Sequence, residues 1–148
     1  MKVVSEILKT KVTPNNMIQG DALVYDALVL MNSVNLSYLV VFENDHFIGI
    51  FSERDYTRKL ILHGKSSTST KIKEVMSSDL PCVSLNDTAE KCMRMLDTYK
   101  TRYLPVFDNV EFKGVITLND VLRLAINSKE DVFDELANSL VDWDDKIF

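Results

Sequence analysis

The stretch Phe47-Ile48-Gly49-Ile50-Phe51-Ser52-Glu53-Arg54-Asp55 returns later in the chain as Phe112-Lys113-Gly114-Val115-Ile116-Thr117-Leu118-Asn119-Asp120. Each copy reads as a short apolar strand, entered through a glycine and left through a Ser or Thr that opens a helix. An Asp stands three residues after that Ser or Thr. Gly49 maps onto Gly114, Ser52 onto Thr117 and Asp55 onto Asp120 at one offset of 65 residues.

The same offset carries Tyr38-Leu39-Val40-Val41-Phe42 onto Tyr103-Leu104-Pro105-Val106-Phe107, and Ile18-Gln19 onto Val83-Ser84. Nearer the start, Val4-Ser5-Glu6-Ile7-Leu8 resembles Ile72-Lys73-Glu74-Val75-Met76 at an offset of 68. The difference is absorbed in a loop, where insertions are tolerated. A tandem duplication therefore sets the architecture.

Within each copy the periodicity predicts strand, helix, strand, strand, helix. In the first copy, residues 3–8 form a short turn or helix with Val4, Ile7 and Leu8 inward, and Met17-Ile18-Gln19 form a strand. Asp21 is expected to cap a helix whose apolar face is Leu23, Ala27, Leu30 and Val34. Tyr38–Phe42 and His46–Phe51 form a hairpin, and a helix runs from Ser52 to about Leu62, ending near Gly64. In the second copy, Cys82-Val83-Ser84 is the small strand and Asp87 the cap. Ala89, Cys92, Met93, Leu96 and Tyr99 form the helix face. A hairpin over 103–107 and 111–116 and a closing helix from Thr117 complete it. A last helix is expected from about Lys129 to Val141. The predicted fold is α+β: two β-α-β-β-α repeats related by pseudo-twofold symmetry, plus a C-terminal helix. The expected segments are repeat 1 at 3–64, a Ser/Thr-rich linker at 65–70, repeat 2 at 71–127 and a C-terminal helix and tail at 128–148. A repeat of about 60 residues has a marginal core alone, so fusion of the two is expected.

Composition narrows the function. The 148 residues are 46% hydrophobic and 26% charged, the profile of a globular domain. No apolar run reaches the roughly 18–20 residues that span a bilayer, and the start lacks a signal-peptide pattern. A cytoplasmic protein with no membrane partner is expected. The net charge of −5 argues against a nucleic-acid partner. Cys82 and Cys92, with no convergent His or second Cys pair, predict no metal site.

With these motifs on the page, the chain resembles a pair of CBS domains (a Bateman module), through Gly-x-x-(Ser/Thr)-x-x-Asp in both repeats and Leu104-Pro105-Val106 in the second. The run from Gly49 to Lys59, followed by Gly64-Lys65-Ser66-Ser67, is similar to small stand-alone CBS-pair proteins. Repeat 1 departs at Val40, where the family usually carries the proline that repeat 2 has at Pro105. The resemblance implies a regulatory module, a homodimer, and an adenosine-containing ligand (AMP, ADP, ATP, NAD or S-adenosylmethionine) in a cleft between repeats. Any output would act on an effector protein in trans or through assembly.

The motif chemistry suits a ribonucleotide. Ser52 and Thr117 sit at helix N-termini, where free N–H groups favour phosphate. Asp55 and Asp120 each offer four lone-pair sites to a ribose diol. Arg54, Arg58 and Arg102 are candidate phosphate contacts, and Ile18, Leu39, Val83 and Leu104 are candidate adenine-pocket walls. The plainer reading of Ser/Thr-x-x-Asp is a helix cap. No catalytic residues are expected, because no nucleophile, phosphate loop or metal cluster accompanies the Asp. The alternative function is a structural homodimerisation module with empty clefts.

Overall fold

Two hairpins anchor the computed structural model, which describes residues 2–12, 15–128 and 138. The chain divides into two compact units, Val12–Asp79 and Met1–Lys11 with Leu80–Phe148. The expected helix from Lys129 to Val141 lies, apart from Asn138, outside the described residues.

In the first unit, strands β1 (Met17–Gln19), β2 (Tyr38–Glu43) and β3 (His46–Ser52) form a sheet in that order, β1 parallel and β3 antiparallel to β2. The hairpin turns through Asn44 and Asp45, both at positive φ, a tight turn that these residue types tolerate. The helix α2 (Val24–Val34) packs Val24, Ala27 and Met31 into a core with Leu39, Val41, Phe51 and Leu60. Each large aliphatic side chain so buried contributes about 1.5–3 kcal/mol.

In the second unit, helix α1 (Val4–Thr10) joins β4 (Val83–Ser84), helix α4 (Ala89–Tyr99), β5 (Tyr103–Asp108), β6 (Glu111–Thr117) and helix α5 (Leu118–Ser128). Its sheet order is β4-β5-β6. The register repeats that of the first unit: Val40 opposes Ile50 as Pro105 opposes Val115. Both hairpins shift register at the same place, Val41/Phe42 and Val106/Phe107.

The Val40/Pro105 difference has a visible effect. The Val40 N–H donates to Asn16 O at 2.9 Å and β1 begins at Met17. Pro105 has no N–H to give, and β4 begins one position later, at Val83. Cys82 is thus outside the strand predicted for it.

Each unit takes its lead-in segment from the other repeat. Val3 bridges Thr88 and Lys71 bridges Leu23, which are equivalent pairs under the two repeat offsets. The Val4 N–H donates to Asp87 O, and the Ile72 N–H to Ala22 O, both at 2.9 Å. The two lead-ins are not alike in form. α1 is an α-helix, whereas Ile72–Glu74 is a single 3₁₀ turn.

Five local expectations are corrected. Asp21 does not cap α2. The first two helical N–H groups, of Val24 and Tyr25, donate to the carbonyls of Thr70 and Ser67 (2.9 and 3.0 Å), so the 65–70 segment closes that helix end. Asp21 instead pairs with Lys73 at 2.7 Å and Lys71 at 3.6 Å. Leu23 precedes α2, and the buried face runs through Val24 and Met31 in place of Leu23 and Val34.

At α4 the cap is Thr88, which accepts the Lys91 N–H at 3.1 Å, while Asp87 accepts the Ser84 N–H at 2.8 Å and ties the preceding turn. Tyr99 is 60% exposed at the helix end and takes no part in the core. The helix after Ser52 is α (α3, Glu53–Asp55) for one turn only. It widens to a π turn at Tyr56–Leu60 and tightens to 3₁₀ at Ile61–His63, ending on left-handed Gly64.

Candidate functional site

The two motif aspartates are both buried, Asp55 at 4% and Asp120 at 8% exposure. Each follows the C-terminus of its hairpin, and each reaches back to the strand end it came from. The Ser52 N–H donates to Asp55 Oδ2 at 3.0 Å and the Asp55 N–H to Ser52 Oγ at 3.3 Å, a reciprocal capping box. In the second copy the Thr117 N–H donates to Asp120 Oδ2 at 2.9 Å and the Asp120 N–H to Thr117 Oγ1 at 3.2 Å. Both motifs are therefore helix caps.

Around that shared frame the two sites differ. Asp55 Oδ2 also accepts the Ser52 hydroxyl at 3.1 Å. Its Oδ1 accepts the Ser77 hydroxyl at 2.7 Å and meets Lys59 Nζ at 3.0 Å. Counting the Ser52 N–H, four donors meet four lone-pair sites. The lead-in segment closes over the site as well: Ile50 and Ser77 exchange backbone hydrogen bonds at 2.9 and 2.8 Å, and Lys59 Nζ reaches Met76 O and Ser77 Oγ. A Cβ on Gly49 would stand 2.7 Å from Ser77 O. The glycine thus permits a close approach, made by the chain's own backbone.

Asp120 has a different neighbour. Lys11, at the C-terminal end of α1, donates from Nζ to Asp120 Oδ2 at 2.9 Å and to Val115 O at 2.8 Å. Among the described residues, the Thr117 N–H and Lys11 Nζ both donate to Asp120 Oδ2. Beside this pair lies an open cavity of about 150 Å³, bounded by Lys2, Glu6, Ile7, Thr10 and Lys11 on the lead-in side and by Asp120, Arg123 and Leu124 on the other. Three cations and two acids face that space. Small-molecule pockets typically run about 300–1,000 Å³, so this cavity of about 150 Å³ is smaller than a complete pocket of that kind.

The remaining predicted residues are distributed as follows. Leu39, Leu104 and Val83 are sealed in the two cores, while Ile18 is half-buried at a core margin. Arg102 stands beside the head of α5, where its carbonyl accepts the Leu118 N–H at 2.8 Å. Its repeat-1 counterpart, Ser37, accepts the Glu53 N–H in the same way at 3.1 Å. Arg54 is half-buried and Arg58 exposed on the helix after Ser52. The cavity is bounded by none of these arginines.

Sequence reasoning missed Lys2, Lys11 and Arg123, and no local signal marks Lys11, which meets an Asp 109 residues away. It also missed Asn16, buried at 3% ahead of β1, whose Nδ2 has no acceptor among the described residues. No group of three or more His, Cys, Asp or Glu suited to a metal occurs among the described residues.

Two βαββα units, each ending in a capped helix with a buried Asp beside its hairpin, make a tandem module. The chain belongs to the CBS domain family, whose pattern matches residues 4–62 and 72–127. It is 30% identical over 121 residues to the mitochondrial CBS domain-containing protein CBSX3 of Arabidopsis thaliana, a match covering 78% of this chain and 59% of that protein. The chain thus spans little more than half the length of that relative. A solved CBS-domain protein from Burkholderia ambifaria is 31% identical with a TM-score of 0.79, covering 87% of this chain and 97% of that one. The CBS domain pair of protein MJ0100, solved with 5-methylthioadenosine and S-adenosyl-L-methionine, shares the fold at 18% identity and a TM-score of 0.72, with 86% and 98% covered. No helix among the described residues is long and apolar enough to cross a membrane.

Proposed function

We propose that this CBS pair senses an adenosine-containing nucleotide (AMP, ADP, ATP, NAD or S-adenosylmethionine), and that binding alters its assembly, as a homodimer, or its hold on an effector protein in trans. The observation that carries this reading is Asp120: a buried carboxylate at a helix head, bordering an open cavity that Lys2 and Lys11 flank on one side and Arg123 on the other. A ribose diol suits the carboxylate and a phosphate suits the cations. The adenosine ligands of the MJ0100 pair are consistent with such a ligand in this fold.

The second reading, a structural homodimerisation module, draws its support from Asp55, whose acceptor sites are filled by its own chain. A thermal-shift panel with AMP, ADP, ATP, NAD and S-adenosylmethionine separates the two. A ligand at 100 times its Kd adds about 2.7 kcal/mol, roughly 5–10 °C for this size. The sensing reading expects such a shift for an adenosine ligand and its loss in Asp120→Asn, which keeps a capping oxygen. The structural reading expects no shift and an unchanged dimer by light scattering.

A further inference from the structure

Resting on the nucleotide-sensing reading, we propose that the two repeats have divided their roles: Lys11 makes the Asp120 site a receptor for 5′-phosphorylated adenosine ligands, while the Asp55 site is closed by its own chain. Three sequence differences produce the division. Lys59, which fills Asp55 Oδ1, is replaced at the equivalent position by Leu124. Ser77, the second donor to that oxygen, corresponds to Lys9. Lys11 itself corresponds to Asp79, so an ammonium stands where the other lead-in carries a carboxylate.

The two coverings also differ in how readily they yield. Over Asp55 the covering includes backbone: a two-bond bridge between Ile50 and Ser77, with Gly49 packed against Ser77 O. Opening it would break strand-like pairing and expose buried polar groups. Over Asp120 the contact with β6 at Val115 O is made by a lysine side chain. A four-carbon stem with a rotatable ammonium moves without disturbing the backbone.

A ribose diol that takes Asp120 Oδ2 displaces the Lys11 ammonium, and the ammonium needs a new partner. A 5′-phosphate in the cavity bounded by Lys11, Lys2 and Arg123 supplies one. A neutral 5′ substituent does not, and a sulfonium adds positive charge beside three cations. Lys11 therefore costs a non-phosphorylated ligand the ion pair it breaks, and rewards a phosphorylated one with a new charge-assisted bond. Charge-assisted bonds of this kind correspond to about tenfold to a hundredfold in affinity.

The test is calorimetric titration of the full chain with AMP, adenosine and S-adenosylmethionine, using wild type, Lys11→Met, Lys11→Gln and Lys59→Met. Lys11→Gln can still donate to Val115 O and guards against a folding failure in the methionine variant. The expected result is one AMP per chain in wild type. AMP affinity falls at least about tenfold in both Lys11 variants, adenosine binding holds or improves, and AMP binding is unchanged in Lys59→Met. Equal losses for AMP and adenosine in the Lys11 variants would overturn the phosphate role. Two AMP per chain, one sensitive to Lys59→Met, would overturn the division of roles. Absence of binding by every adenosine ligand, in wild type and both Lys11 variants, would instead remove the nucleotide-sensing reading beneath it.

Discussion

Replacing Asp55 with Ala removes a structural element. The capping interaction with the Ser52 N–H and the helix head is worth about 0.5–2 kcal/mol. The 2.7 Å bond from the Ser77 hydroxyl is part-buried and charge-assisted, worth about 1.5–3 kcal/mol. The Lys59 partner is 43% exposed, so its ion pair adds only about 0–1 kcal/mol. Together these give a loss of about 3 kcal/mol, or roughly 6–12 °C in Tm at this chain length. Urea unfolding followed by circular dichroism measures it. A double-mutant cycle with Ser77→Ala isolates that bond, with an expected coupling of about 1 kcal/mol or more. An Asp55→Ala loss below about 1 kcal/mol, or additivity with Ser77→Ala within about 0.5 kcal/mol, would refute the view of Asp55 as a closed site.

Gly49→Ala drives a methyl to 2.7 Å from the Ser77 carbonyl, a backbone atom that yields only if the lead-in shifts. A loss of about 1–3 kcal/mol is expected by equilibrium unfolding, and a neutral effect would show that the lead-in is loosely held. Of the two cysteines, exposed Cys82 should react with a disulfide reagent in the folded protein and buried Cys92 only on unfolding. Burial pushes the Cys92 thiol up to about 12, against an ordinary 9.0. The folded state then keeps a proton that the unfolded state surrenders, so this site's contribution is intact below pH 9.0 and declines as pH rises toward 12. Wild type should lose stability over that range faster than Cys92→Ala, and parallel pH profiles would contradict the assignment.

What the sequence made legible was local or repeated. The hairpins, their shared register and the helices that follow them depend on residues within a few positions of one another, and the duplication showed each pattern twice. The capping box at Ser52 and Asp55 was legible for the same reason. The caps of α2 were not, because the acceptors are the backbone carbonyls of Ser67 and Thr70, and a carbonyl leaves no mark in residue type. Asp21 looked like the cap because its side chain is of the right kind, but Lys73 holds it elsewhere. The exchange of lead-in segments was legible only as a similarity between residues 4–8 and 72–76. Its consequence, Lys11 against one Asp and Ser77 against the other, depends on contacts 109 and 22 residues apart in the chain. Candidate adenine walls were chosen for being apolar beside the motif, and that property equally suits a core, where Leu39, Val83 and Leu104 lie.

The most direct measurement is a crystal structure of the chain grown with AMP. The account predicts the ribose diol on Asp120, Lys11 Nζ moved from Asp120 Oδ2 onto the 5′-phosphate, and Asp55 still bonded to Ser52, Ser77 and Lys59. A nucleotide held away from Asp120, or Lys11 still paired with Asp120 beneath a bound ligand, would contradict it.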